Sequence, residues 1–122
     1  MIVLDEQICR ARIFQDISRW YKGAVICIKD LRPHTRILDD AMPELLRRLK
    51  QPTFVTINYD DFWKIMPDHS GYCIVCLKLT EDRAYETPAL LRDLLKRAEF
   101  STKRQRMGKV ISVRDWRVTY YD

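Results

Sequence analysis

Phe54-Val55-Thr56-Ile57-Asn58-Tyr59-Asp60-Asp61 is an apolar run that ends in acids. The opening Ile2-Val3-Leu4-Asp5-Glu6 repeats the pattern: a short apolar strand, then two carboxylates. A third acidic pair, Asp39-Asp40, stands at the head of a helical pattern. In an α/β sheet the carboxyl ends of parallel strands share one edge, and ligands bind there. Carboxylates gathered on that edge repel one another unless a cation sits among them. The pattern therefore points to a Mg²⁺ or Mn²⁺ site.

Outward from these runs the chain alternates between strand and helix patterns. Ile2–Leu4 reads as a buried strand. Ala11, Phe14, Ile17 and Trp20 recur at helical spacing and predict an amphipathic helix over Cys9–Trp20. Ala24–Ile28 reads as a strand buried on both faces, and Lys29–Arg36, with Pro33, as a loop. Met42, Leu45, Leu46 and Leu49 give one face of the next helix, and Pro43 in its first turn places its start near Asp40. Phe54–Ile57 is the third strand, and Asp60–Ile65 makes one or two helical turns stopped by Pro67. Tyr72–Leu79 reads as a central strand. Thr87-Pro88 reads as an N-cap and first turn, opening a helix that buries Leu90, Leu91, Leu94, Leu95 and Ala98. Lys109–Val113 and Arg117–Tyr121 alternate as strands and pair as a hairpin, although the turn between them lacks an Asn-Gly signal. This order implies a mostly parallel sheet flanked by helices, with an antiparallel edge at the C-terminal end.

The bulk properties agree with one globular domain over 1–122. The chain has 122 residues, 47% hydrophobic and 32% charged, enough for a core and too apolar for disorder. No apolar run reaches the length of a membrane span, and no basic-then-apolar leader opens the chain, so the expected location is cytoplasmic with no membrane partner. The net charge of +5 favours polyanion partners. Lys96, Arg97, Lys103, Arg104, Arg106 and Lys109 cluster late in the chain, either as a solvated helix end and loop, or as a phosphate-contacting patch or a docking site for an acidic partner. Of the four cysteines, Cys27, Cys73 and Cys76 lie in apolar runs and read as buried free thiols. Cys73 and Cys76 have C-x-x-C spacing, but on a strand they point to opposite faces and cannot chelate one metal.

Several chemistries are excluded. Three glycines draw neither a dinucleotide fingerprint nor a P-loop. No G-x-S-x-G elbow is present. Nothing in the spacing brings a cysteine to His34 or His69. The acidic set remains: Asp5, Asp40 and Asp60 as catalytic metal-binding carboxylates, with Glu6, Asn58 and Asp61 in support. Each acid also has a plainer role, as a solvated strand end or a helix cap. Thr56 either hydrogen-bonds a carboxylate of the site or is an ordinary strand residue. Arg10 and Arg12 either hold phosphate or form a solvated helix face.

Leu4-Asp5-Glu6, Asp30-Leu31, Asp40 and Val55-Thr56-Ile57-Asn58-Tyr59-Asp60-Asp61-Phe62 together resemble the PIN-like ribonuclease superfamily. The likeness is to its short stand-alone branch, often linked to toxin–antitoxin pairs, and it runs over Met1–Phe62. It implies a three-layer α/β/α sandwich with a mostly parallel central sheet. It also implies a Mg²⁺ or Mn²⁺ site, endonucleolytic hydrolysis of RNA phosphodiester bonds, a small antitoxin protein as partner, and a homodimer. Carried over, Asp5 takes the first acidic position and Asp40 the second, with Asp39 beside it. At the third the chain departs from the family's Thr-x-Asp-x-Asp-Phe, because Asn58 stands where the first of those aspartates belongs. Asp60 falls on the second, and Asp61-Phe62 reads as a one-residue slip. Two rivals follow. One is a catalytically degenerate PIN-like module that binds nucleic acid or a protein. The other is a small phosphatase or receiver-like domain, which Asn58 disfavours because it occupies the place of a phosphorylatable aspartate.

Overall fold

The computed structural model describes residues 1–31 and 41–122. Asp39, Asp40, His34 and the rest of the segment 32–40 lie outside the described residues.

Six strands form one sheet: β1 (Ile2–Leu4), β2 (Val25–Cys27), β3 (Thr53–Thr56), β4 (Cys73–Leu77), β5 (Val110–Arg114) and β6 (Arg117–Tyr121). Their order is β2-β1-β3-β4-β5-β6. All neighbouring pairs are parallel except β5–β6, which is antiparallel. The expected α/β architecture and its antiparallel C-terminal edge are therefore present. The order reverses at β1, with β2 on one side and β3 on the other, so a topological switch point lies between β1 and β3.

Continuous apolar runs produce the interior strands. Every residue of β1, β3 and β4 is buried, as parallel strands covered on both faces require. Alternation sends Ile2, Leu4, Val55, Cys73 and Val75 into one apolar cluster, with Ile13 and Ile17 of α1 (Ala11–Trp20) and Leu91 and Leu94 of α5 (Thr87–Lys96). Val3, Phe54, Ile74 and Cys76 enter the opposite cluster. There they meet Met42 and Leu46 of α3 (Met42–Arg47) and Tyr59 and Phe62 of α4 (Tyr59–Phe62). Phe54 is fully buried against the Phe62 ring, 5.5 Å between centroids. No helix among the described residues is long and apolar enough to cross a membrane.

The structure corrects five local expectations. β2 is an edge strand with Val25 and Ile26 half-buried, and α2 (Ile28–Leu31) follows it where a loop was expected to begin. The buried face of α1 centres on Ile13 and Ile17, while Ala11 is exposed. Thr87 lies inside α5, whose N-cap is Glu86, and its hydroxyl is buried without a hydrogen-bond partner among the described residues. The Lys103–Lys109 part of the basic cluster lies at the amino edge, away from the acidic strand ends. There, Arg106 of α6 (Lys103–Arg106) is 3% exposed and donates from Nε to Thr53 Oγ1 (3.2 Å) and from Nη1 to the Phe100 carbonyl (2.9 Å). Buried polar groups need such partners, so Arg106 fastens α6 under the sheet and is not open to phosphate. Cys27, finally, is disulfide-bonded to Cys9, their Cα atoms 5.7 Å apart.

That disulfide ties the turn after β1 to the end of β2. Cys73 and Cys76 are buried free thiols in opposite clusters, as expected, and burial pushes both up to about 12. A thiol that stays protonated is a poor nucleophile. A thiol-titrating reagent is expected to find no reactive thiol in the native oxidised protein, two after unfolding without reductant, and four after unfolding with it. Reduction of the 18-residue loop should lower stability by about 3 kcal/mol, measured as a shift in the urea midpoint.

Candidate functional site at the carboxyl edge

The β1–β3 register pairs Leu4 with Val55, and Asp5 N–H extends the pairing by donating to the Val55 carbonyl (3.0 Å). This sets Asp5 beside Thr56 where both strands end. The Thr56 hydroxyl, fully buried, donates to Asp5 Oδ2 at 2.6 Å. The same Oγ1 accepts from Asn58 N–H at 3.0 Å. Asp5 Oδ1 accepts from Glu6 N–H at 2.8 Å, capping the 3-10 turn Glu6–Ile8. Of the two readings of Thr56, the structure bears out the hydrogen bond to a carboxylate: one hydroxyl orients Asp5 and pins the start of the third acidic segment. Asp5 thus caps that turn with one oxygen while Thr56 holds the other.

The third segment behaves differently from the expectation. Asn58 donates from Nδ2 to Asp61 Oδ2 at 2.9 Å, which leaves its carbonyl oxygen as an acceptor. Asp60, its side chain 85% exposed, pairs with Lys78 at 3.4 Å. Lys78 also lies over the Tyr59 ring, 4.9 Å from its centroid, and Tyr59 Oη hydrogen-bonds Ser112 Oγ on β5 at 2.7 Å. Glu6 is exposed. Neither Asp60 nor Asp61 makes the expected cap of α4, whose N-cap is Asn58. Arg10 donates from Nη1 to the Glu81 carbonyl at 3.4 Å, and His69 accepts from Gly71 N–H on the segment leading into β4, at the amino edge. Among the described residues no group of three or more His, Cys, Asp or Glu is placed to hold a metal.

The carboxyl edge is thus polarised. Asp5, Glu6, Asp60 and Asp61 follow β1 and β3, while Lys78, Arg114 and Arg117 stand at the ends of β4 and β5 and the start of β6. Sequence reading found the acidic half and missed the basic half. Lys78, Arg114 and Arg117 are scattered singly along the chain and only the strand order brings them to one edge. The signal available was their placement at strand ends.

Magnesium is usually held by one or two carboxylates, several waters and substrate phosphate. The oriented Asp5 carboxylate and the Asn58 carbonyl oxygen fit that donor chemistry. Comparison with protein-family models, with curated proteins and with solved structures finds no match.

The Thr56–Asp5 bond has a measurable consequence. Thr56→Val keeps the volume and removes the donor, and should lower stability by about 1–3 kcal/mol, whereas Thr56→Ser should keep most of it. Urea midpoints of the two variants are the check.

Proposed function

We propose that this protein is a PIN-like, divalent-metal-dependent endoribonuclease with a three-layer α/β/α domain, acting as the toxin of a toxin–antitoxin pair. The observation that carries the reading is the Thr56 Oγ1–Asp5 Oδ2 hydrogen bond at the β1/β3 switch point. It spends a buried hydroxyl on orienting an acid where open α/β sheets bind ligands. The resemblance of residues 1–62 supplies the substrate class, the antitoxin and the homodimer.

Asp5 would hold the metal, with Asp40 as the second carboxylate and the Asn58 carbonyl oxygen as a neutral ligand. A bound Mg²⁺ or Mn²⁺ supplies Lewis-acid polarisation of phosphate and a water of lowered pKa. Thr56 keeps Asp5 in one orientation, and a metal site mispositioned by even a small distance loses rate steeply. Lys78 answers the negative charge of Asp60 and leaves the basic half of the edge to face phosphate.

The degenerate-module reading is favoured by a different observation. Asn58 and Asp61 satisfy each other and Asp60 is drawn to Lys78, so the third station does not gather its acids. Mixed-sequence RNA incubated with Mn²⁺ separates the two. The nuclease reading expects cleavage that EDTA abolishes and that Asp5→Asn reduces by about 100-fold or more. It also expects Asn58→Asp to lower the Mn²⁺ concentration needed, because an added charged ligand tightens a hard-cation site. Intact RNA at all Mn²⁺ concentrations, or cleavage indifferent to Asp5→Asn, would sink it.

A further inference from the structure

Beside the acidic pole lies a groove of about 570 Å³, a volume in the range of sites for small ligands. Its floor is the β5–β6 hairpin. The antiparallel register sets Ser112 opposite Thr119 and Arg114 opposite Arg117. Alternation puts all four side chains on one sheet face, that of Val110 and Tyr121. The wall is Trp63 and Lys64, which follow α4. Trp63 is half-buried, its ring 5.1 Å from that of Tyr121 and 6.1 Å from that of Tyr59.

The hairpin that carries this floor is built against local rules. Two like charges directly opposite one another destabilise an antiparallel pair, yet Arg114 and Arg117 are such a pair. The central turn residues Asp115 and Trp116 have φ of 49° and 66°. Positive φ at both marks a type I′ turn, which prefers Asn-Gly, and Trp116 is 80% exposed, with little burial to offset the strain. Lys64, on the wall, has φ of 62°. Departures of this kind concentrate at functional sites. Asp115 Oδ2 lies 3.8 Å from Arg114 Nε, both side chains being well exposed. Lys64 and Arg117 form no ion pair among the described residues.

We propose that this groove is a binding track for a single-stranded polynucleotide: Lys64, Arg114 and Arg117 contact successive phosphates, and the open part of the Trp63 ring stacks a base. The proposal deepens the nuclease reading and rests on it for the choice of polyanion. Closely spaced cations interleaved with an aromatic ring are the chemistry that grips single strands with little sequence preference. The groove is lined by Tyr59, the residue after Asn58, whose N–H is held by the same Thr56 hydroxyl that bonds Asp5. A duplex presents stacked bases that cannot reach Trp63, which favours the single strand. RNA and DNA single strands share this chemistry, and the 2′-hydroxyl is what could separate them.

The test is fluorescence anisotropy in EDTA with a labelled 12-nucleotide mixed-sequence RNA, the DNA of the same sequence and the RNA duplex. Chelation keeps binding apart from cleavage, so the binding readout stands even if no cleavage is ever seen. Single strands should bind at least tenfold more tightly than duplex. Preference for RNA over DNA would assign the source, and equal binding a track that reads phosphate and base alone. Arg114→Ala with Arg117→Ala should weaken binding at least tenfold and flatten the log–log salt dependence by about 0.7 for each cation removed. Arg117→Glu is the sharper variant. It replaces a repulsive cross-strand pair with an attractive one, so the melting temperature should hold or rise while binding falls at least tenfold. Lys103→Ala with Arg104→Ala, at the amino edge, should leave binding unchanged. No binding of any polynucleotide, unchanged binding in the Arg114 and Arg117 variants, or equal loss in the amino-edge variant would overturn the proposal.

Discussion

The parallel pairing of β1 with β3 is the constraint on which the rest of the structure depends. Both strands are buried on both faces, so neither can slip by one residue without exchanging its two sets of side chains between opposite clusters. The register that results, Leu4 with Val55, places Asp5 at the level of Thr56. A 2.6 Å hydrogen bond between a buried hydroxyl and a carboxylate follows from that placement. The Cys9–Cys27 bond closes the same corner from the β2 side, because Leu4 is also paired with Cys27. Core packing and site geometry are here one requirement.

The two edges of the sheet divide the labour. At the amino edge a buried charge is structural: Arg106 is sealed beneath Thr53 and Phe100, while Lys103 and Arg104 stand exposed beside it. At the carboxyl edge, charge is left open. Acidic residues follow β1 and β3, basic residues sit at the ends of β4, β5 and β6, and Asp60–Lys78 joins the two halves. An edge of this form suits a polyanion with one phosphate near the acidic pole and its neighbours over the basic one. Exposed pairs such as Asp60–Lys78 contribute little stability, so their arrangement is free to serve binding.

Most of the fold was legible because continuous apolar runs and helical spacing are strong local signals. The strands at Ile2–Leu4, Phe54–Ile57 and Tyr72–Leu79 and the long helices after Cys9 and Thr87 all appear close to their expected places. What escaped were features set by tertiary position. β2 looks as apolar as an interior strand, yet the order puts it at an edge. The hairpin turn carries no glycine, and the pairing of β5 with β6 imposes positive φ on Asp115 and Trp116. Cys9 and Cys27 meet only because β1 and β2 are neighbours. In the site, Asp5 was readable from its strand, whereas the diversion of Asp60 to Lys78 and of Asp61 to Asn58 depends on partners that sequence spacing does not locate.

The central claim is that Asp5, oriented by Thr56, anchors a divalent cation at the β1/β3 switch point. Titration of Mn²⁺ into uniformly ¹⁵N-labelled protein, read as paramagnetic broadening of backbone amides, tests it without reference to any substrate. The account predicts that the amides of Glu6 and Asn58 broaden first, together with their neighbours, and that Asp5→Asn removes the effect. Broadening centred on another part of the surface, or an Asp5→Asn spectrum that broadens just as the unaltered protein does, would contradict it.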